Sequence, residues 1–169
     1  VANDPRHQMI LLLPRLRRFA RALAGTSADA DDLVQATCER ALRSLGQWTQ
    51  GTRLDSWMFR IMRNHHIDEV RKHRIAAEEP LEDKFDLTGD DGRAVTEGRL
   101  ELASVRDRIA ALPEDQRAVL VLVCVDDMSY RDAAEVLEIP IGTVMSRLSR
   151  ARLALMKAEG ATARREVSR

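Results

Sequence analysis

The sequence holds no apolar stretch near the roughly 20 residues that a membrane span needs. The apolar cluster Met9 to Leu13 is short and is followed by Arg15, Arg17 and Arg18, so it does not read as a signal peptide. A cytoplasmic chain with no membrane insertion is the expectation. Cysteine is nearly absent: Cys38 and Cys124 are far apart, and neither has a second Cys or a His at metal-ligand spacing. That excludes a disulfide scaffold and a zinc site, and both thiols are expected to be buried in a reducing compartment. Aromatics are only 4% of residues, and β-branched aromatic runs are missing, which disfavours sheet. A Gly-rich phosphate loop, metal-ligand spacing and a nucleophile–base set are also lacking, so neither an enzyme nor a cofactor is expected. The carboxylates of the middle segment sit where no preorganised site could form.

What is present is Ala, Leu and Arg in helical periodicity. Pro5 to Ala24 places Met9, Leu13, Leu16, Ala20 and Leu23 at spacings of three and four, with a kink or a fresh start possible at Pro14. Gly25 stops that helix, and Ser27 or Asp29 caps a second one running to about Leu45. Asp29, Asp31 and Asp32 stand at its favourable end. Its inward side is Leu33, Cys38, Ala41 and Leu45, and Gly46 supplies the stop. Thr52-Arg53-Leu54-Asp55 resembles a capping box and opens a third helix through Trp57, Ile61 and Ile67 to about His73. Trp57 is expected in the core.

Periodicity fades from about Ile75 to Gly98, where acids, Gly and Pro mark a flexible linker. The expected division is therefore 1–76, an acidic linker at 77–98, and 99–169. The second part reads as a helix from about Arg99 to Ala111, then one opened by Pro113, Glu114 and Asp115. The apolar run Val119 to Val125 is expected to be buried helix rather than strand. Ser129-Tyr130-Arg131-Asp132 is a second capping box, opening a helix to Leu137. After Glu138-Ile139-Pro140 a last helix spans Ile141 to about Ala158, with a frayed tail holding Arg164, Arg165 and Arg169. The fold class is all-α, two small helical domains whose second is a helix-turn-helix.

The formal net charge is zero, but the charge is unevenly spread. Residues 1–76 carry +5, 77–98 carry −6, 99–140 carry −4 and 141–169 carry +5. Two basic regions flanking an acidic middle suggest two polyanion-facing surfaces. In the last helix Val144, Leu148, Ala151 and Leu155 fall on one side. Ser146, Ser149 and Arg150 lie opposite, flanked by Met145 and Arg147. Residues 141–158 contain no Asp or Glu. An acid-free face of arginines and short polar side chains fits a major groove, where Arg grips guanine at two points. Thr143 and the amides at the helix start can hold a phosphate.

Three segments of the second domain resemble region 4 of the extracytoplasmic-function (ECF) sigma factors: Leu112-Pro113-Glu114-Asp115-Gln116-Arg117, Met128 to Ala134, and Ile141 to Arg152. Asp31 to Thr37 and Ser56 to Asn64 resemble region 2, so the resemblance covers nearly the whole chain in order. It implies that Met145, Ser146, Ser149 and Arg150 face bases of the minus-35 element while Tyr130, Thr143 and Arg147 hold the backbone. Met145 departs from the basic residue common there, which leaves Arg150 as the principal base contact. It further implies that the first domain binds the minus-10 element as a single strand. Asn64 and Asp68 would line a pocket for a flipped base, beside a basic track of Arg60, Arg63, Arg71 and Lys72.

The implied partners are promoter DNA, core RNA polymerase through its beta-prime clamp helices and beta flap, and an anti-sigma factor wedged between the domains. Asp32, Gln35 and Glu39 share one face of the second helix and are the expected polymerase-docking patch. A helix-turn-helix repressor leaves the first domain unexplained. A sigma-like decoy that cannot initiate transcription should have lost the basic face that Arg147, Arg150 and Arg152 keep.

Overall fold

Three of the helices start where a side-chain oxygen, from Asp4, Thr26 or Ser129, accepts from an amide that the helix leaves unpaired. The computed structural model describes residues 4–77 and 105–166, with side chains through residues 76 and 157. α1 (Pro5–Leu23) begins with Asp4, whose carboxylate accepts from the Arg6 amide at 3.0 Å. It runs unbroken through Pro14 instead of restarting. Pro14 is exposed, and so is Ile10, whose carbonyl loses its partner there; water is free to take that carbonyl. α2 (Ser27–Arg43) is capped by Thr26, not by Ser27 or Asp29. The Thr26 hydroxyl accepts from the Asp29 amide at 3.1 Å, one residue earlier than expected. α2 stops at Arg43, and Gly46 lies within a short 3₁₀ turn (Leu45–Gln47) rather than ending the helix.

α3 (Leu54–Ala77) outruns its expected end at His73. Its expected capping box does not form: the Thr52 hydroxyl donates to the Thr49 carbonyl at 2.7 Å. The Asp55 carboxylate instead accepts from the Ser56 amide and from two arginines. Leu16, Phe19, Met58, Phe59 and Met62 fill the centre of this three-helix unit, with Phe19 and Phe59 edge to face at 5.2 Å. Trp57 packs against that core, as expected. Apart from Ala77, the expected linker lies outside the described residues.

In the second unit residues 105–110 form α4, and the expected start of this helix at Arg99 lies outside the described residues. α5 (Glu114–Leu120) follows Pro113 and passes into a π-helical turn (Val121–Val125). The apolar run is therefore helical and buried through Leu122. The widened turn then brings Cys124 and Val125 to the surface, so the expected burial of Cys124 is wrong. Cys38 is half-buried, and burial raises its thiol pKa, opposed by Arg17. α6 (Tyr130–Leu137) and α7 (Ile141–Glu166) complete the chain. The backbone of α7 is helical through Arg164 and Arg165, where a frayed tail was expected; Arg169 lies outside the described residues.

The two units pack on each other. α1 lies against α5 and the π turn, while α3 lies against α6, and the buried residues form one cluster across the junction. Among the described residues no helix is long and apolar enough to cross a membrane.

Candidate nucleic-acid interface

The α6–α7 pair owes its geometry to two local devices. Ser129 caps α6, accepting from the Asp132 amide at 3.0 Å, while its hydroxyl donates to the Asp132 carboxylate at 2.7 Å. Glu138 ends α6 in the left-handed region with φ 50°, and the Ile139 amide reaches back to the Ala134 carbonyl. The Thr143 and Val144 amides then bond to the Pro140 carbonyl, so Glu138-Ile139-Pro140 is the turn. Ala133, Ala134, Leu137, Val144, Leu148 and Ala151 are buried between the two helices, as their spacing predicts. Ile139 and Leu155 pack at the margin.

That packing leaves one side of α7 outward. Met145, Ser149 and Arg150 are exposed, Thr143, Ser146 and Arg147 are half-buried, and Tyr130 stands exposed at the first turn of α6. The Ser146 hydroxyl turns inward to the Thr143 carbonyl at 3.1 Å. Arg147 is held by Asp115 of α5 at 3.0 Å. The residues of α7 expected to read duplex DNA span about 200° of its circumference at 100° per residue, and Arg147 is tethered at one edge of that arc.

On α3, Arg60, Asn64, Asp68 and Arg71 fall within about 80° of one another at 100° per residue, and all four are exposed. Lys72 lies at the edge of this strip and pairs with Glu69 at 2.7 Å. Asp68 stands 4.0 Å from Arg40 of α2. Arg63 is turned to the other side, half-buried against the second unit, where it pairs with Glu138 at 3.3 Å. Burial lowers its pKa, with Glu138 opposing. His65 and His66 diverge, as neighbours on a helix must. His65 approaches Glu69 at 4.0 Å, and burial followed by Arg40 pulls its pKa down. His66 meets Glu114 at 3.2 Å. Asp32, Gln35 and Glu39 are exposed on α2, and the Gln35 amide donates to Glu39 at 3.2 Å.

Sequence reasoning missed the residues joining the two units. Arg15 lies 5.4 Å over the Phe59 ring, donates to Asp55 at 2.9 Å and reaches Asp126 at 3.4 Å. Arg18 donates to Asp126 at 2.5 Å, and Arg53 pairs with Asp132. The Asp126 side chain is fully buried. Burial would raise the Asp55 carboxyl, but hydrogen bonds from Arg53, Arg15 and the Ser56 amide bring it down to about 2. Arg117, 4% exposed, donates to the carbonyls of Ala22, Ala110 and Leu112. An open groove of about 790 Å³ runs between α3 and the α4–α5 junction, lined in part by His66, Val70, Arg71, Arg74 and Leu112.

The comparisons with known proteins agree with this geometry. Residues 11–75 match the family described as Sigma-70 region 2, and residues 102–155 match Sigma-70, region 4. The ECF RNA polymerase sigma factor EcfG of Rhodopseudomonas palustris (strain TIE-1) is 36% identical over 164 residues. The match covers 95% of this chain and 90% of that protein. Among solved structures, the sigma factor RpoE in complex with the anti-sigma factor NepR from Bartonella quintana superimposes with a TM-score of 0.80 at 31% identity. It covers 94% of this chain and 98% of the other. CnrH in complex with the cytosolic domain of CnrY gives a TM-score of 0.65 at 28% identity, covering 92% and 86%. With both sigma regions matched in order and a relative aligned over nearly its whole length, the chain belongs to the ECF RNA polymerase sigma factors.

Proposed function

We propose that this sigma factor docks on core RNA polymerase, reads the minus-35 element as duplex with α7, and captures the melted minus-10 strand on α3. The observation that carries the reading is the outward side of α7. It is acid-free from Ile141 through Ala158, set on a helix-turn-helix, and presents Arg150 to solvent. Arg150 grips a base edge, Met145, Ser146 and Ser149 pack beside it, and Tyr130, Thr143 and Arg147 hold phosphates. In the first domain, 1–76, Asn64 and Asp68 receive an extruded base, and Arg60, Arg63, Arg71 and Lys72 track the backbone. Extruding the base costs a few kcal/mol, offset by hydrogen bonds to its edge and by stacking. Asp32, Gln35 and Glu39, on the exposed side of α2, meet the beta-prime clamp helices, and the second domain, 99–169, meets the beta flap. The segment 77–98 joins the two as the linker.

An anti-sigma factor is the proposed inhibitor, seated between the domains. The groove between α3 and the α4–α5 junction supports this, as does the solved relative whose partner is the anti-sigma factor NepR. The deciding experiment adds the chain to core RNA polymerase on genomic DNA and sequences the transcripts initiated. Initiation at a defined promoter class is expected; no initiation at any promoter removes the reading and leaves a sigma-like decoy.

A further inference from the structure

Arg147, at one edge of the outward arc of α7, has its Nε 3.0 Å from Oδ2 of Asp115 in the first turn of α5. The two side chains are 27% and 43% exposed, so the pair lies at the surface, within reach of a polyanion. Beside it is a cavity of about 220 Å³, lined in part by Arg147, Asp115, Glu114 and Arg63. Glu114 already meets His66 at 3.2 Å. The guanidinium therefore has two places to go: outward beside Asp115, or inward toward Glu114. An acid at this spot is at first sight a liability, since α7 itself is acid-free from Ile141 through Ala158.

We propose that Asp115 is a positioning residue for duplex DNA, holding the Arg147 guanidinium by Nε so that its two terminal nitrogens face a backbone phosphate. The inference rests on the phosphate-holding role of Arg147. Arginine presents its N–H donors in one rigid plane, and a partner on Nε leaves the terminal nitrogens for an anion. A phosphate accepts two such bonds side by side. An unheld arginine gives up rotamer freedom when it binds, whereas one fixed by Asp115 has given up much of it on folding. The repulsion that Asp115 adds is the smaller effect. At the width of a guanidinium, about 7 Å, water-screened repulsion between carboxylate and phosphate costs about threefold in affinity. A charge-assisted hydrogen bond contributes about tenfold or more. Without Asp115 the guanidinium is free to swing into the cavity toward Glu114, away from the duplex. The sign of the effect separates this role from plain electrostatics. Removing a negative charge from a DNA-binding surface ordinarily tightens binding; removing Asp115 should weaken it.

The test uses the full chain and fluorescence anisotropy with a duplex of about 30 base pairs, enriched on the wild-type chain from a random pool. Arg147→Ala should bind about tenfold more weakly and lower the slope of log affinity against log salt by about 1, the signature of one lost phosphate contact. Asp115→Ala should bind about three- to fivefold more weakly and lower the slope in the same direction. An Asp115 that served only the fold of α5 would leave the slope unchanged. Asp115→Asn, which keeps an oxygen for Nε but drops the charge, should recover part of the loss. In the double variant Asp115→Ala/Arg147→Ala the two losses should not add. Glu135→Gln, which removes the same charge from an exposed position of α6, should not weaken binding. The pair is exposed, so its loss should leave the fold intact. Unchanged or tighter binding in Asp115→Ala beside a weakened Arg147→Ala, or additive losses in the double variant, would overturn the positioning role alone. Wild-type binding by Arg147→Ala would instead remove Arg147 from the phosphate contacts, and the role of Asp115 with it.

Discussion

Replacing Arg117 by Met should destabilise the protein by about 3 kcal/mol, and the figure follows from what its guanidinium holds. Nε donates to the Ala22 carbonyl at 2.5 Å, and one terminal nitrogen donates to the Ala110 and Leu112 carbonyls at 2.8 Å each. All three acceptors stand where a helix is ending, α1 for Ala22 and α4 for the others, so no helical amide is available to them. A hydrogen bond from a charged donor contributes roughly 1.5–3 kcal/mol net. Three of them are offset by the cost of burying the cation, which also pulls the Arg117 pKa down. Arg117→Met removes the charge itself and leaves three neutral carbonyls without this donor, at about 1–3 kcal/mol for each that stays buried, and partial hydration of the freed carbonyls together with the relieved burial of the cation keeps the total near the low end. With a urea slope of about 2 kcal/mol per molar, the midpoint should fall by about 1.5 M. Arg117→Lys should recover only part of the loss, because an ammonium cannot serve carbonyls placed for a planar fork. A loss below about 1 kcal/mol for Met, or a lysine variant equal to wild type, would refute the reasoning.

Asp55, held at about 2, stabilises the fold above its ordinary carboxyl range and loses that contribution as pH falls toward 2. Wild type should therefore exceed Asp55→Asn by about 2 kcal/mol at neutral pH, with the gap closing between about pH 4 and 2 in urea titrations. Ser129→Ala removes the α6 cap and should cost about 1 kcal/mol by the same assay. Arg150→Ala should lose about 1–3 kcal/mol of upstream-element recognition without altering the thermal midpoint, measured by duplex binding and by transcript mapping. Unchanged promoter choice removes Arg150 from the reader.

What was legible in the sequence is what local chemistry decides. The Ser129 cap, the three-residue turn at Glu138 and the buried side of α7 each depend on residues within one or two turns of helix, and all stand as read. Misreadings arose where two neighbours could do one job or where periodicity was silent. Thr26 and Ser27 are both able caps, and only the backbone angles separate them. Thr52 could cap α3, but its hydroxyl takes the Thr49 carbonyl, leaving Asp55 to three other donors. The π turn at Val121–Val125 hides inside an unbroken apolar run, where every residue looks equally inward, and so Cys124 was expected inside. On α3 the exposed strip from Arg60 to Arg71 obeys helical spacing, but Arg63 could be placed only by knowing what lies opposite it.

The charge distribution carried more than either basic region alone revealed. Read along the chain, a +5 first block and a −4 stretch at 99–140 look like a polyanion-binding surface and a solvated acidic face. In three dimensions they meet: Asp126 beneath Arg15 and Arg18, Asp132 on Arg53, Glu138 on Arg63, Glu114 on His66. These partners are separated by 48 to 111 positions in sequence, too far for any local pattern to announce them. A zero net charge in this chain is therefore not neutrality of its parts. It is the sum of two domains whose opposite charges meet across their junction.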